Sequence, residues 1–298
     1  MLQNFLLELE GKPAGRFFAA TGGSVQADVL IQSSGPGQVR HKHIAGVKYE
    51  DMVLTCGTGM SRAFYDWIGN SFGGAASRKS GAVIVLDQKQ APIARLEFRN
   101  ALVKSLVVPE LDHSGHAAAV MAVSISPEGT RSTEVGLSQG LGVYASALPK
   151  AWNISDFRIR IDGLEADCTH VTRVGWLNLG QNLAEFDVGE MRSAEKEPTS
   201  LQYSDLIVRL PGGFATGFYK WLDDFVVKGD NSTQDEKKGV LEFFAPKSNT
   251  AYFEIEFSGL GIYKIDGPSA LASKTSLPIT VSMYCEAMKF RAGPAAVI

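Results

Sequence analysis

Cysteine is scarce in this chain of 298 residues: there are three, Cys56, Cys168 and Cys285, far apart and without a CxxC pair. That excludes a disulfide framework and a cysteine-built zinc site, and it fits reduced, buried thiols made in a cytoplasm. Net charge is almost absent, since 29 basic residues stand against 32 acidic ones to give −3. Such a balance argues against coating nucleic acid or clinging to an anionic membrane. No apolar run reaches the roughly 18 residues of a membrane span, so no stable membrane insertion is expected. The opening MLQNFLLELEG has no basic flank and meets Glu8 and Glu10 at once, so it reads as a strand and not as a secretory signal. What the chain does hold is 45% hydrophobic residues, 31 glycines against 12 prolines, and short alternating apolar runs set between turn residues. That is the texture of β-sandwiches and barrels.

Slid along itself by about 150 residues, the chain repeats. FLLELEG (Phe5 to Gly11) falls on FRIRIDG (Phe157 to Gly163) at a displacement of 152, with Phe5, Leu7, Leu9 matching Phe157, Ile159, Ile161. YEDMVLTCGTGMSRAFYDWI falls on YSDLIVRLPGGFATGFYKWL at a displacement of 154, pairing Tyr49 with Tyr203, Asp51 with Asp205, Gly59 with Gly213, and Phe64, Tyr65, Trp67 with Phe218, Tyr219, Trp221. Further on, Gly81 meets Gly239, Leu96-Glu97-Phe98 meet Ile255-Glu256-Phe257, and Pro109 meets Pro268 at a displacement of 159. A period this long marks a duplicated domain, since a solenoid unit repeats every 20–50 residues or so. The expected organisation is two homologous β domains, 1–130 and 153–298, joined by a Gly/Ser/Ala-rich linker over 131–152. The halves differ in charge: +1 for 1–130, +1 for the linker and −5 for 153–298.

In the first copy, strands are expected near 4–11, 15–22, 25–33, 39–48, 49–56, 81–88, 92–100, 102–108 and 116–126. One amphipathic helix interrupts them, with apolar positions 60, 63, 64, 67, 68 and 72 and glycines Gly69, Gly73 and Gly74 to end it. The second copy repeats the stripe as Phe214, Phe218, Trp221, Leu222 and Phe225, with Gly229 closing. Phe64, Trp67, Phe218 and Trp221 are the expected anchors of these helices in the core.

No catalytic constellation emerges. CGTGMSR follows a strand and leads into a helix, but Arg62 occupies the third glycine position of a dinucleotide fingerprint and no βαβ unit follows. The glycines are better read as turning the chain. Ser61 lacks the GxSxG frame, and its counterpart is Ala215. His41/His43 and His113/His116 have no histidine counterparts in the other copy and no third ligand. The loop from Lys228 lacks the glycine and bidentate glutamate of a calcium loop. The reading is therefore no enzyme, no cofactor and no metal.

The ordered set LELEG, GRFFAATGG, KHIAGVKYEDMVLTCG, a helix carrying FYDWI, and LEFRNALVKSL with Pro109 resembles the tail-tube proteins of contractile phages and phage-derived contractile injection systems. The resemblance spans most of 2–128. The second copy is similar in IDG, YSDLIVRL, FYKWL, FEIEFSG and the late proline, and departs where GQNLAEFDVGEMRSAEKEPTSLQ replaces the family's stacking hairpin. In that family a small β-barrel or sandwich with one flanking helix forms hexameric rings that stack into a hollow tube inside a contractile sheath.

The resemblance implies a structural, self-assembling protein in which three fused chains close a pseudo-hexameric ring. Its partners would be its own copies, tube, sheath, and baseplate hub or spike proteins, with cargo possible in the lumen and no specific nucleic acid. Assembly in a bacterial cytoplasm into a phage tail or injection particle follows. A baseplate adaptor or tube initiator, joining a trimeric hub to a sixfold tube, is the alternative; a ligand-binding or enzymatic pair of β domains is a third, without residues to support it. By the same resemblance, Gly35, Gly37, Arg40, His41 and His43 lie in the ring-stacking hairpin. Glu8 and Glu10 in one copy against Arg158 and Arg160 in the other would give neighbouring domains opposite signs at inter-subunit contacts.

Overall fold

A computed structural model describes residues 4–34, 39–134, 149–187, 193–245, 248–267 and 277–296. The chain is mainly β with short helices. Its first half runs β1 (Asn4–Leu9), β2 (Lys12–Phe17), β3 (Ala19–Gly22), β4 (Val25–Ser34), β5 (Val39–Tyr49), β6 (Met52–Cys56), α1 (Arg62–Phe72), β7 (Lys79–Leu86), β8 (Pro92–Val108), β9 (Leu111–Asp112), β10 (Ala118–Ala119), β11 (Met121–Ser126) and β12 (Gly129–Glu134). The second half runs β13 (Trp152–Asn153), β14 (Phe157–Ile161), α2 (Glu165–Cys168), β15 (Arg173–Val174), β16 (Leu177–Phe186), β17 (Glu195–Tyr203), β18 (Leu206–Pro211), α3 (Thr216–Leu222), β19 (Lys237–Phe244), β20 (Ala251–Asp266) and β21 (Pro278–Ala292).

The first sheet has the order β2-β1-β7-β8-β11-β6-β3, and the second has β14-β19-β20-β21-β18-β15-β9. From β1 and β14 onward the two sequences of strands correspond one to one over six strands. Registers correspond as well. Phe5 lies opposite Val85 and Phe157 opposite Phe243; Val83 opposite Leu96 and Leu241 opposite Ile255; Leu106 opposite Val123 and Ile265 opposite Val281; Leu54 opposite Ala20 and Val208 opposite Val174. Because side chains alternate across a strand, a slip of one residue would turn every apolar position outward, so shared register means a shared core face.

The long strands bend at matching points. Asn100 in β8 has φ +49° and Gly259 in β20 has φ +64°, conformations that asparagine and glycine accept at low cost. Residues 92–100 and 102–108, expected as two strands, are therefore one strand carried through a kink. Conversely, 15–22 is split between β2 and β3 at Phe18, whose backbone N–H donates to the Thr55 carbonyl at 2.8 Å. The stretch expected as a linker starts in β12, paired on β8, and ends in β13, paired on β10.

The turn before α1 is closed by side chains. Ser61 caps it, its Oγ accepting from Phe64 N at 3.4 Å, and the Tyr65 hydroxyl donates to Gly57 O at 2.7 Å. Phe64 and Trp67 are fully buried, and Trp67 Nε1 donates to Ser77 O at 2.8 Å. Gly69 lies inside the helix and does not end it. A Cβ there would stand 2.7 Å from the Phe290 carbonyl oxygen of β21, so this glycine lets a first-half helix seat against a second-half strand. The second helix is shorter than its stripe suggests: α3 ends at Leu222 and passes into a wider turn over Asp223–Val227. Phe218 is fully buried and Trp221 6% exposed, whereas Phe214 is half-exposed and stacks on His170. One buried apolar cluster runs from Phe5 through Trp67 and Trp152 to Phe290, joining both sheets. Trp67→Ala is expected to lower unfolding stability by about 3–5 kcal/mol, read as a fall in the urea midpoint.

Candidate functional site: the junction between two sheets

Among the described residues the most constructed polar and apolar surface is the seam where the second half meets the first. Here β16 leaves its own sheet. It pairs with β17 on one side and on the other with β8, Leu177 opposite Val108, Leu179 opposite Leu106 and Gly180 opposite Ser105. The segment GQNLAEFDVGEMRSAEKEPTSLQ, expected to replace a hairpin, thus forms most of one; residues 188–192 lie outside the described part. Its sequence hides this because its apolar side chains answer a strand in the other half. Leu106, Leu179, Leu177 and Val108 are all 0–1% exposed. Next to them Gln181 Nε2 donates to the Val103 carbonyl.

The hairpin's far strand is anchored by charge. Lys196, 6% exposed, donates from Nζ to Ser126 Oγ at 2.9 Å and from its backbone N to Glu128 Oε1 at 2.9 Å. Arg78 reaches Glu197 at 2.6 Å and Glu128 at 3.5 Å, while Asn100 Nδ2 donates to Glu128 Oε2 at 3.0 Å. Ser126 in turn donates to Asp51, which pairs with Lys104 at 2.5 Å. Buried polar groups matched in this way specify one geometry, since each would be costly if left unpaired. The seam has a second sheet continuation, β9 on β15, with Leu111 opposite Val174 and the Arg173 guanidinium 2.7 Å from Asp112. Hydrogen bonds from Ser114 and then the nearby Arg173 hold the Asp112 carboxyl below its ordinary value of 3.8. His113 stacks on Phe157 with centroids 4.0 Å apart, bringing one of the expected histidines to the seam.

The opposed charges of β1 and β14 are met first within their own sheets. Glu8 is paired with Arg95 at 2.7 Å, and its counterparts Arg158 and Arg160 share Glu242 at 3.1 and 3.2 Å. Glu10 Oε1 accepts from Ser80 N at 2.7 Å. The structure does not bring Glu8 and Glu10 to Arg158 and Arg160 within one chain. Of the hairpin residues, Arg40, His41 and His43 are exposed on β5, and Gly35 and Gly37 lie outside the described residues. Burial pushes the Cys56 thiol up, and that of Cys168 up to about 12, which leaves both protonated and unreactive. Sequence reasoning missed Glu128, Gln181 and Lys196. Only Gln181 carried a signal, as a polar residue on the buried alternation of Leu177 and Leu179; Glu128 lies between β11 and β12, and β17 does not alternate around Lys196.

Residues 3–131 match the family model described as T4-like virus tail tube protein gp19. The likeness to tail-tube proteins is borne out over this stretch. It takes in nearly all of the first sheet, β4, β5 and α1, and stops before β16 and β17. No curated protein sequence matches the chain. Among solved structures, the chain is similar to a protein of the sheath–tube complex of the PVC extracellular contractile injection system (17% identity, covering 44% of this chain and 88% of that one, TM-score 0.39). It is similar also to a protein of the anti-feeding prophage tube-terminating cap (18%, 44% and 88%, TM-score 0.39) and to Hcp1 from Flavobacterium johnsoniae (16%, 46% and 95%, TM-score 0.26). At these scores none of the three bears on how this chain assembles.

Because apolar cover holds β16 to the first sheet, Leu179→Ala is expected to cost about 2–5 kcal/mol in urea unfolding. Val25→Ala, at the matching position of the other hairpin and 58% exposed, stays within about 0.5 kcal/mol in the unassembled chain.

Proposed function

We propose that the chain is a structural component of the inner tube of a contractile tail or injection machine, built from two tube-type domains, 1–130 and 153–298, joined through 131–152. Three chains would close a ring of six such domains, and rings would stack. One observation carries this reading: the sheet that lies in the tail-tube match is repeated, in strand order and in register, by the second half of the same chain. A sixfold tube then needs three chains of true threefold symmetry, and the covalent seam takes the place of three of the six boundaries. The buried ladder of β16 on β8 supports this, since strand addition with apolar cover is a strong way to join like sheets.

Such a protein works by shape and cohesion and turns over no substrate. Its partners would be further copies of itself, a sheath on the outer wall and a hub or spike at one end, with cargo in the bore. The tip of the β4–β5 hairpin, with Arg40, His41 and His43 near it, would reach the adjoining ring. Arg158 and Arg160, with side chains about half exposed (49% and 47%), are the charges left to favour one order of domains around it. Each such pair contributes only about 0–1 kcal/mol, so sheet pairing and apolar burial carry the affinity.

The purified full chain is expected to give a trimer of about 96 kDa, three times its 32.1 kDa, by light scattering, and six-lobed rings or stacks by negative-stain microscopy. Rings that cap tubes without lengthening them would assign the chain to an adaptor instead. A monomer at high concentration would overturn the ring.

A further inference from the structure

We propose that the base of the β4–β5 hairpin adds to the free edge of β20 in a second copy of this chain, with Val25 opposite Ile265. This rests on the ring reading in requiring a neighbour of the same kind, and it names the surface on which that neighbour sits.

The template lies inside the chain. β7 pairs with β8 as far as Ala101, and β16 takes over the same side of β8 between Ser105 and Val108. In the second sheet β19 pairs with β20 as far as Leu260. Beyond it, among the described residues, β20 has β21 on one side and no strand on the other. The missing strand is available elsewhere. β4 and β5 form a sheet of their own, paired Val25 to Tyr49, Ala27 to Val47 and Val29 to Ile44, with a break between Ala27 and Val29. β16 and β17 are paired Leu179 to Tyr203, Gln181 to Leu201 and Leu183 to Pro198, with a break between Gln181 and Leu183. The two hairpins share one register, 154 residues apart.

Carrying the β16–β8 ladder over to the counterparts places Ser24 opposite Asp266, Val25 opposite Ile265 and Gln26 opposite Lys264. Burial agrees with this placement. Leu106 and Leu179 are both 0% exposed in the seam, whereas Val25 is 58% exposed and Ile265 is half-buried. Val29, Leu30, Ile31 and Ile44 add bare apolar surface, on both faces of the hairpin. Gln26 sets a neutral donor and acceptor against Lys264, whereas Ser24, whose Oγ donates to Glu50 at 2.7 Å, sets that carboxylate on the same side as Asp266, with Lys264 between the two placements to offset it. A further edge is open in the same sense. β15 is continued by β9, while its counterpart β3 has no further strand beside it among the described residues. One copy thus offers a hairpin and the next an edge, the head-to-tail contact that closes rings.

The test mixes two single variants, Val25→Cys and Ile265→Cys, under diamide and reads non-reducing gels beside light scattering. Opposed residues fall within disulfide reach, whereas a partner two residues out of register does not, so linked dimer should form at least about tenfold faster in this mixture than in one of Val25→Cys with Tyr263→Cys. Each variant alone should give none. A trimer by mass without the link overturns the hairpin placement and leaves the ring standing; a monomer without the link overturns both. Should the variants misfold, hydrogen exchange on the unaltered protein decides. Amides of 24–27 and 261–266 are expected to slow about tenfold or more between dilute and assembled protein, and unchanged exchange there refutes the placement.

Discussion

The structure depends on the covering of one strand edge. β8 outruns β7, and the main-chain groups of its last residues would face water with Leu106 and Val108 beneath them. An exposed, apolar edge of that kind invites any passing strand. The chain meets it with its own second half: β16 satisfies the backbone and Leu177 and Leu179 complete the core below. Everything else at the seam is arranged around that ladder, including the Lys196 and Glu128 hydrogen bonds and the seating of α1 on β21 at Gly69. One apolar cluster runs through both sheets beneath it.

The two sheets hold the same register with different side chains, and the exchanges show what is constrained. At the start of β7 and of β19 only glycine serves. A Cβ on Gly81 would run into the Glu8 carbonyl oxygen, and one on Gly239 would come within 2.8 Å of the Arg160 carbonyl oxygen. The ion pairs are freer. Glu8 with Arg95 in the first sheet becomes Arg158 and Arg160 with Glu242 in the second, so the sign is reversed and the pairing kept. Close approach of backbones admits no substitute, whereas a partly exposed charge pair works in either orientation.

This difference also governs how much the sequence told. The repeat of strand order was legible because bulky residues at fixed spacing, Phe64 and Trp67 against Phe218 and Trp221, are buried on the helices that follow corresponding strands of the two sheets. The mainly β character followed from alternation. The β16–β17 hairpin was not legible, because its apolar face, Leu177 and Leu179, is complementary to β8, more than 60 residues earlier, and Pro198 and the charges of β17 suit an edge facing solvent. Periodicity reports which residues are covered, not what covers them. The continuous β8 was misread for a related reason: the αL residue Asn100 breaks the alternation without ending the pairing, as Gly259 does in β20.

In the proposed ring, fusion would make two boundaries of one kind unequal. Sheets tied in one chain meet at an effective concentration of the order of millimolar, so the seam forms as the chain folds and its leucines are never free for long. In the proposed ring the edge of β20 and the β4–β5 hairpin would wait for another molecule, and their side chains suit waiting. Val25 and Ile265 stand where the seam has Leu179 and Leu106, and charged pairs flank them, Lys264 with Asp266 at 2.6 Å and Lys48 with Asp28 at 2.7 Å. Charges beside an edge slow indiscriminate pairing, and both pairs are about half exposed in the single chain, so neither contributes much to its stability. In the proposed ring, a tight seam within the chain and a guarded one between chains would hold the closing contact back until enough copies are present to complete it.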